Sequence, residues 1–133
     1  MNNFRGIQLA IELAIKQRDT FQRRVAVLER NVVSAKAQFG QLQSYAVDKD
    51  SGWMHAQSDG FSAEIVRHHY QFVSRLQQAI GMQAEVVTHA LAQVEVAKKS
   101  LAAAEIRLEG LRQVLNRRLN VKAMLVTRRD QKT

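Results

Sequence analysis

Residues 7–46 read IQLAIELAIKQRDTFQRRVAVLERNVVSAKAQFGQLQSYA. The positions that decide the fold are Ile7, Ile11, Ala14, Arg18, Phe21, Val25, Leu28, Val32, Ala35, Phe39, Leu42 and Ala46. Their spacing alternates four and three without a slip, and eleven of the twelve are apolar. An apolar repeat of 3.5 residues sustained this long is a coiled-coil seam, not the broad stripe of a helix on a globular core. Arg18 is its one polar break.

A second seam follows. Val87, Ala90, Val94, Ala97, Leu101, Ala104, Leu108, Leu111, Leu115, Arg118, Lys122 and Leu125 keep the same alternation, with both charged members near the C-terminal end. Upstream it continues through Phe61, Ile65, His69, Phe72, Leu76, Ile80 and Gln83, where Phe72–Leu76–Ile80 steps four and four. Such a stutter locally unwinds a supercoil. Ala90, Ala97 and Ala104 share one heptad position, so the backbones are expected to approach closely there.

Between the seams, Asp48-Lys-Asp-Ser-Gly52 and Ser58-Asp-Gly60 read as turns, and Ser62 as a helix cap. The expected fold is all-α: a long two-helix antiparallel coiled-coil hairpin, a single domain over residues 1–133, with the second helix longer than the first. Helix one takes roughly residues 5–47, the connection roughly 48–61 with Trp53 and Met54 tucked back, and helix two roughly 62–129. At 1.5 Å per residue the helices would measure about 65 Å and about 100 Å. If residues 46 and 62 meet at the turn, Gln38 faces residue 70, Tyr45 faces residue 63, and Ile7 lies near Leu101. The apolar seam beyond Leu101 would then overhang and need a second copy or another protein to cover it.

Composition agrees with a helical chain. In 133 residues there are no prolines, no cysteines and six glycines. Disulfides, thiol chemistry and Cys-based metal sites are excluded. The longest uncharged stretch, Ala37–Val47, falls far short of the ~20 residues of a membrane span. Arg5, Glu12 and Lys16 interrupt the N-terminal stretch, which does not read as a signal peptide. The chain reads as cytoplasmic.

The charge is uneven. The formal net charge is +8, but residues 107–133 hold eight Lys/Arg against two Asp/Glu, residues 1–24 five against two, and residues 25–106 seven against eight. An antiparallel hairpin gathers the excess at the end carrying the termini. That end reads either as a docking pole for an acidic ring or surface, or as a solvated C-terminal helix whose cations suit the macrodipole.

No chemistry-bearing constellation emerges. His68 and His69 are adjacent and point about 100° apart on a helix, unlike a zinc pair spaced three or four apart; His55 and His89 are isolated. Asp48, Asp50 and Gly52 start like a calcium loop, but Trp53 and Asp59 stand where Gly and Glu are required. There is no glycine-rich phosphate loop, nucleophile elbow or carboxylate pair in a pocket. No enzyme, cofactor or metal is read here. The basic C-terminal cluster contains no aromatic residue and matches no nucleic-acid-binding signature, although a basic helix binds phosphate non-specifically.

One patch is separate from the charge. Gln38, Leu42 and Tyr45 follow one another at helical spacing on helix one, as Phe72, Leu76, Ala79 and Gln83 do on helix two, near the turn. It reads as an interaction patch or simply as seam residues.

Several stretches resemble the family of the flagellar export protein FliJ. They are Leu42-Gln-Ser-Tyr45, Tyr70-Gln-Phe-Val-Ser-Arg-Leu-Gln-Gln-Ala-Ile80, Leu108 through Arg118, and Arg128-Arg-Asp-Gln-Lys132. The likeness runs over nearly the whole chain in order, spacing and length. Departures are Lys49, where a second aromatic is expected one turn after Tyr45, and Gln83, where a His can occur. The sequence stops at Thr133, before the Asp-Glu-Phe-like tail expected after Gln-Lys. The resemblance implies a coiled-coil stalk in the cytoplasmic part of the flagellar type III export apparatus, peripheral to the inner membrane through its partners. It implies that the end with the termini sits in the ring of the export ATPase FliI and promotes its assembly. It further implies a contact with the export gate FlhA and binding of export chaperones. Carried onto this sequence, the gate patch is Gln38, Leu42, Tyr45, Phe72, Leu76 and Ala79. The expected ATPase pole is Leu111, Leu115, Arg117, Arg118, Lys122 and Arg128. The alternatives are the equivalent stalk of a virulence-type secretion system, a basic helical nucleic-acid-binding protein, and a structural coiled-coil dimer.

Overall fold

The computed structural model describes residues 4–56 and 60–132. Two helices form it: α1 spans Arg5–Ala56 and α2 spans Ala63–Gln131. They pack antiparallel, the second is the longer, and there is no strand among the described residues. Among the described residues the buried hydrophobic side chains are Ile7, Ala14, Val25, Leu28, Val32, Ala35, Ala90, Val94, Ala97, Ala104 and Leu108. Every one belongs to the two seams read from the sequence.

The boundaries of the first helix and the connection are corrected. Asp48-Lys-Asp-Ser-Gly52 is helical, and α1 continues to Ala56. Each of these turn-favouring residues opposes a helix by no more than about 1 kcal/mol. Contacts along α1 and beyond it oppose that cost. Within α1, Lys49 Nζ lies 5.4 Å from the ring centroid of Tyr45, one turn back. Trp53 stacks on Phe61 at 4.6 Å and on His69 at 3.6 Å with the planes 3° apart. Aromatic pairs contribute about 0.5–1.5 kcal/mol each beyond their buried area, which is of the same order as the local preference they oppose. Trp53 is tucked back as expected, whereas Met54 is exposed.

The second turn signal is only partly visible, since Ser58 and Asp59 lie outside the described residues. Gly60 has φ +79°, the left-handed region that glycine enters without strain. Ser62 caps α2: the Ile65 amide donates to its Oγ at 3.3 Å, and the Val66 amide to its carbonyl at 3.1 Å. Glu64 in the first turn and Arg128 and Arg129 in the last complement the helix dipole.

Because α1 is longer than expected, the register moves with it. Gln38 meets Gln83 and not residue 70; Tyr45 meets Phe72 and not residue 63. Phe4 lies against Lys122, with Nζ 5.2 Å from the ring centroid. Pairing therefore runs on past Leu101. Ala104 and Leu108 are buried, Leu111, Val114 and Leu115 are half-buried, and exposure is continuous only from Asn116. The overhang is shorter than the sequence suggested.

The chain divides into two compact units. Unit 1 comprises Met1–Ala26 with Glu95–Thr133, and unit 2 comprises Val27–Val94. In unit 1 the seam is built around Ile7, Ala14, Val25, Ala97, Ala104 and Leu108, with alanine at three of those six positions. Arg18 is accommodated by lying half out of this seam, its Nε donating to Asp19 Oδ1 at 2.9 Å while the stem packs. In unit 2 the buried positions are Leu28, Val32, Ala35, Ala90 and Val94.

Candidate functional site

In unit 2 Gln38 meets Gln83 and Tyr45 meets Phe72, with Leu42 between the first members of these pairs on α1 and Leu76 and Ala79 between the second members on α2. Tyr45 and Phe72 meet edge to face with centroids 6.2 Å apart and planes at 70°. Leu42, Leu76 and Ala79 are half-buried, whereas Tyr45 and Phe72 expose 44% and 36% of their surface. Gln83 is, with His69, a polar member of the seam in this unit. Its Nε2 donates to the Ala35 carbonyl at 3.1 Å and to Gln38 Oε1 at 3.2 Å, so both amide hydrogens are used within the helix pair. Tyr45 and Phe72 thus form one exposed aromatic pair, while Gln38 is tied to Gln83, about three turns farther along the second helix.

The structure extends this neighbourhood beyond what the spacing of the seam residues indicated. An open groove runs from Tyr45 and Phe72 along Asp48, Lys49, Trp53 and His69. A second depression beside it is lined by Ala46, Val47, His69, Phe72, Val73 and Leu76. The signal for Lys49 and Trp53 was present in the sequence: they follow Tyr45 by four and eight residues, one helical face. Reading residues 48–52 as a turn hid it. His69 lies flat against Trp53 and helps to hold the turn end together. Among the described residues there is no group of three metal-ligating side chains.

Unit 1 has the opposite character. It holds 15 Lys/Arg against six Asp/Glu, a net +9, while unit 2 holds five against six. Of the residues expected at the ATPase pole, Leu111 and Leu115 are half-buried at the last paired turns of α2, and Arg117, Arg118, Lys122 and Arg128 are exposed beyond them. Apolar side chains continue into this basic stretch: Leu119, Val121, Met124, Leu125 and Val126 are all exposed. Lys122 rests over the Phe4 ring, which ties the start of the chain to this region. Cations and uncovered aliphatic groups therefore alternate over about four turns of helix. Such a surface attracts an acidic partner at long range and offers it apolar contact at short range. No described helix is long and apolar enough to cross a membrane.

A protein-family model described as Flagellar FliJ protein matches residues 6–133, nearly the whole chain. No curated protein and no solved structure matches it.

Proposed function

The chain belongs to the flagellar FliJ protein family, and from that premise we propose that it is the coiled-coil stalk of a flagellar type III export apparatus. Membership carries a role in flagellar protein export. The finer reading is that the chain is not an enzyme and that unit 1 docks in the ring of the export ATPase FliI and promotes its assembly. Unit 2 contacts the export gate FlhA through Tyr45, Phe72 and the half-buried Leu42, Leu76 and Ala79 beneath them. Gln38 lies at the edge of that patch. Export chaperones bind as exchangeable helical partners. In this reading the protein works in the cytoplasm and is held at the inner membrane only by these partners.

The observation that carries this reading is the coincidence, in one unit, of a +9 charge with an uncovered apolar stretch after Leu115. A stalk in a ring needs contacts that can be made and broken. Exposed charges screened over ~8–10 Å supply adjustable attraction, whereas a dry apolar plug would not. Arg117, Arg118, Lys122 and Arg128 supply the charge, and Leu111 and Leu115 anchor the stretch to the helix pair.

The test follows ATP turnover and ring assembly of the cognate ATPase with and without this chain, at low and high salt. Stimulation that weakens with salt and with Arg117→Glu/Arg118→Glu is expected. Absence of both stimulation and co-assembly at low salt would overturn the motor reading. Salt-dependent retention on DNA under those conditions would point to the nucleic-acid alternative.

A further inference from the structure

Unit 1 carries a second surface, separate from the stretch beyond Leu115. On one side of its helix pair a groove is lined by Ala10, Leu13, Ala14, Gln17, Phe21 and Arg107, with Lys16 and Thr20 at its edge. Its wall is almost wholly apolar. Ala14 is buried at the floor and Phe21 is half-buried, while Leu13 is 65% exposed. Leu9, one turn before Leu13, is 50% exposed and prolongs the apolar edge. Leu9 and Leu13 stand outside the seam, and alanines occupy it at 14, 97 and 104 between the buried Ile7, Val25 and Leu108. A third helix laid beside the pair would bury this outer apolar edge as well.

From this we propose that the groove between Ala10, Leu13 and Phe21 of α1 and Arg107 of α2 is a docking site for an amphipathic helix of another protein, apolar on one face and acidic at its flanks. The length of the groove along α1, from Ala10 to Phe21, matches about three helical turns. Leucine-like residues spaced three and four apart would sit on Leu13, Ala14 and Phe21. The polar groups at its rim are Lys16, Gln17, Thr20 and Arg107, and no carboxylate lines it. A second copy of this chain is a poor occupant, because it would bring another +9 unit against the first. A helix with Glu or Asp beside its apolar face complements both the rim and the field of the unit. This inference does not rest on docking in an ATPase ring, and its test contains no ATPase.

The probe is a fluorescein-labelled synthetic peptide of about 15 residues with leucines at helical three-and-four spacing and glutamates on its flanks. It is titrated against the full chain by fluorescence anisotropy, beside a control peptide with lysine in place of every glutamate. The acidic peptide should bind, and the lysine peptide should not. Leu13→Ser should weaken binding by about tenfold or more, since a central apolar anchor dominates a small interface. Arg107→Glu should weaken it and reduce its salt dependence. Val33→Ser, at an exposed position of unit 2 outside both surfaces, should leave binding unchanged. Leu13 is exposed in the free chain, so the helical circular dichroism of Leu13→Ser should match the parent. Failure of the acidic peptide to bind would overturn the proposal, as would equal binding by the Leu13→Ser protein or by the lysine peptide. Leu13-dependent capture by phosphatidylglycerol vesicles without peptide binding would also overturn it and assign the face to a membrane.

Discussion

The side-chain amide of Gln83 reaches across from α2 and donates to both the Ala35 carbonyl, at 3.1 Å, and Gln38 Oε1, at 3.2 Å. A polar residue in a mainly apolar seam lowers stability but discriminates between registers, because only one alignment satisfies it. In unit 2 this contact holds Tyr45 opposite Phe72.

Gln83→Leu should therefore raise the melting temperature by about 2–8 °C, the shift expected for roughly 1 kcal/mol in a chain of this size. It should also relax the alignment. With one cysteine fixed at 45 and the second placed in turn at 65, 72 and 79, only the 45/72 pair should cross-link in the parent, whereas the displaced pairs should cross-link as well in the variant. A single sharp pattern in Gln83→Leu would show that register is set elsewhere.

The seam of unit 1 should be sensitive to side-chain volume in both directions. Leu108 is 2% exposed, and Leu108→Ala should cost about 2–5 kcal/mol. Ala97 is 3% exposed, and Ala97→Leu should cost about 1–3 kcal/mol by forcing the helices apart. Leu125→Ala, at an exposed position, should change stability by less than about 0.5 kcal/mol. Urea unfolding followed by circular dichroism separates the three. Equal losses at 108 and 125 would contradict the assigned pairing.

Trp53 is the single tryptophan, and its ring lies against both Phe61 and His69. Its fluorescence should report the turn end alone. His69→Ala or Phe61→Ala should shift its emission to the red by admitting water to one ring face, at a cost of about 0.5–1.5 kcal/mol each. An unchanged spectrum in both variants would mean that the stack does not form in solution.

The start of α2 rests on one hydroxyl. Ser62→Ala removes the acceptor of the Ile65 amide and should cost about 0.5–2 kcal/mol, while Ser62→Asp should be close to neutral. Amide hydrogen exchange over residues 63–66 should speed up in the alanine variant only. Acceleration in both would argue that the serine acts through something other than its oxygen.

Much of this protein was legible in its sequence because periodicity reports which face of a helix is buried. All eleven buried residues were seam positions, and Ser62 was readable as a cap. The patch residues Tyr45 and Phe72 were readable as neighbours near the turn, although the partners assigned to individual positions were not correct. The family likeness came from the same stretches and agrees with the match over residues 6–133.

Register and helix ends were decided only in the folded structure. A heptad repeat looks the same after a shift of seven residues, so the seam by itself admits several alignments of similar apolar burial. Local preferences at Asp48, Ser51 and Gly52 are of the same order as the contribution from stacking Trp53 on Phe61 and His69. With that stacking α1 runs to Ala56, and the resulting register moves the start of the overhang from Leu101 to Asn116. The sequence thus determined which residues face inward and where the charge lies. Contacts between residues distant in the chain decided which turn of one helix meets which turn of the other, because only those contacts distinguish alignments that the repeat leaves nearly equal in energy.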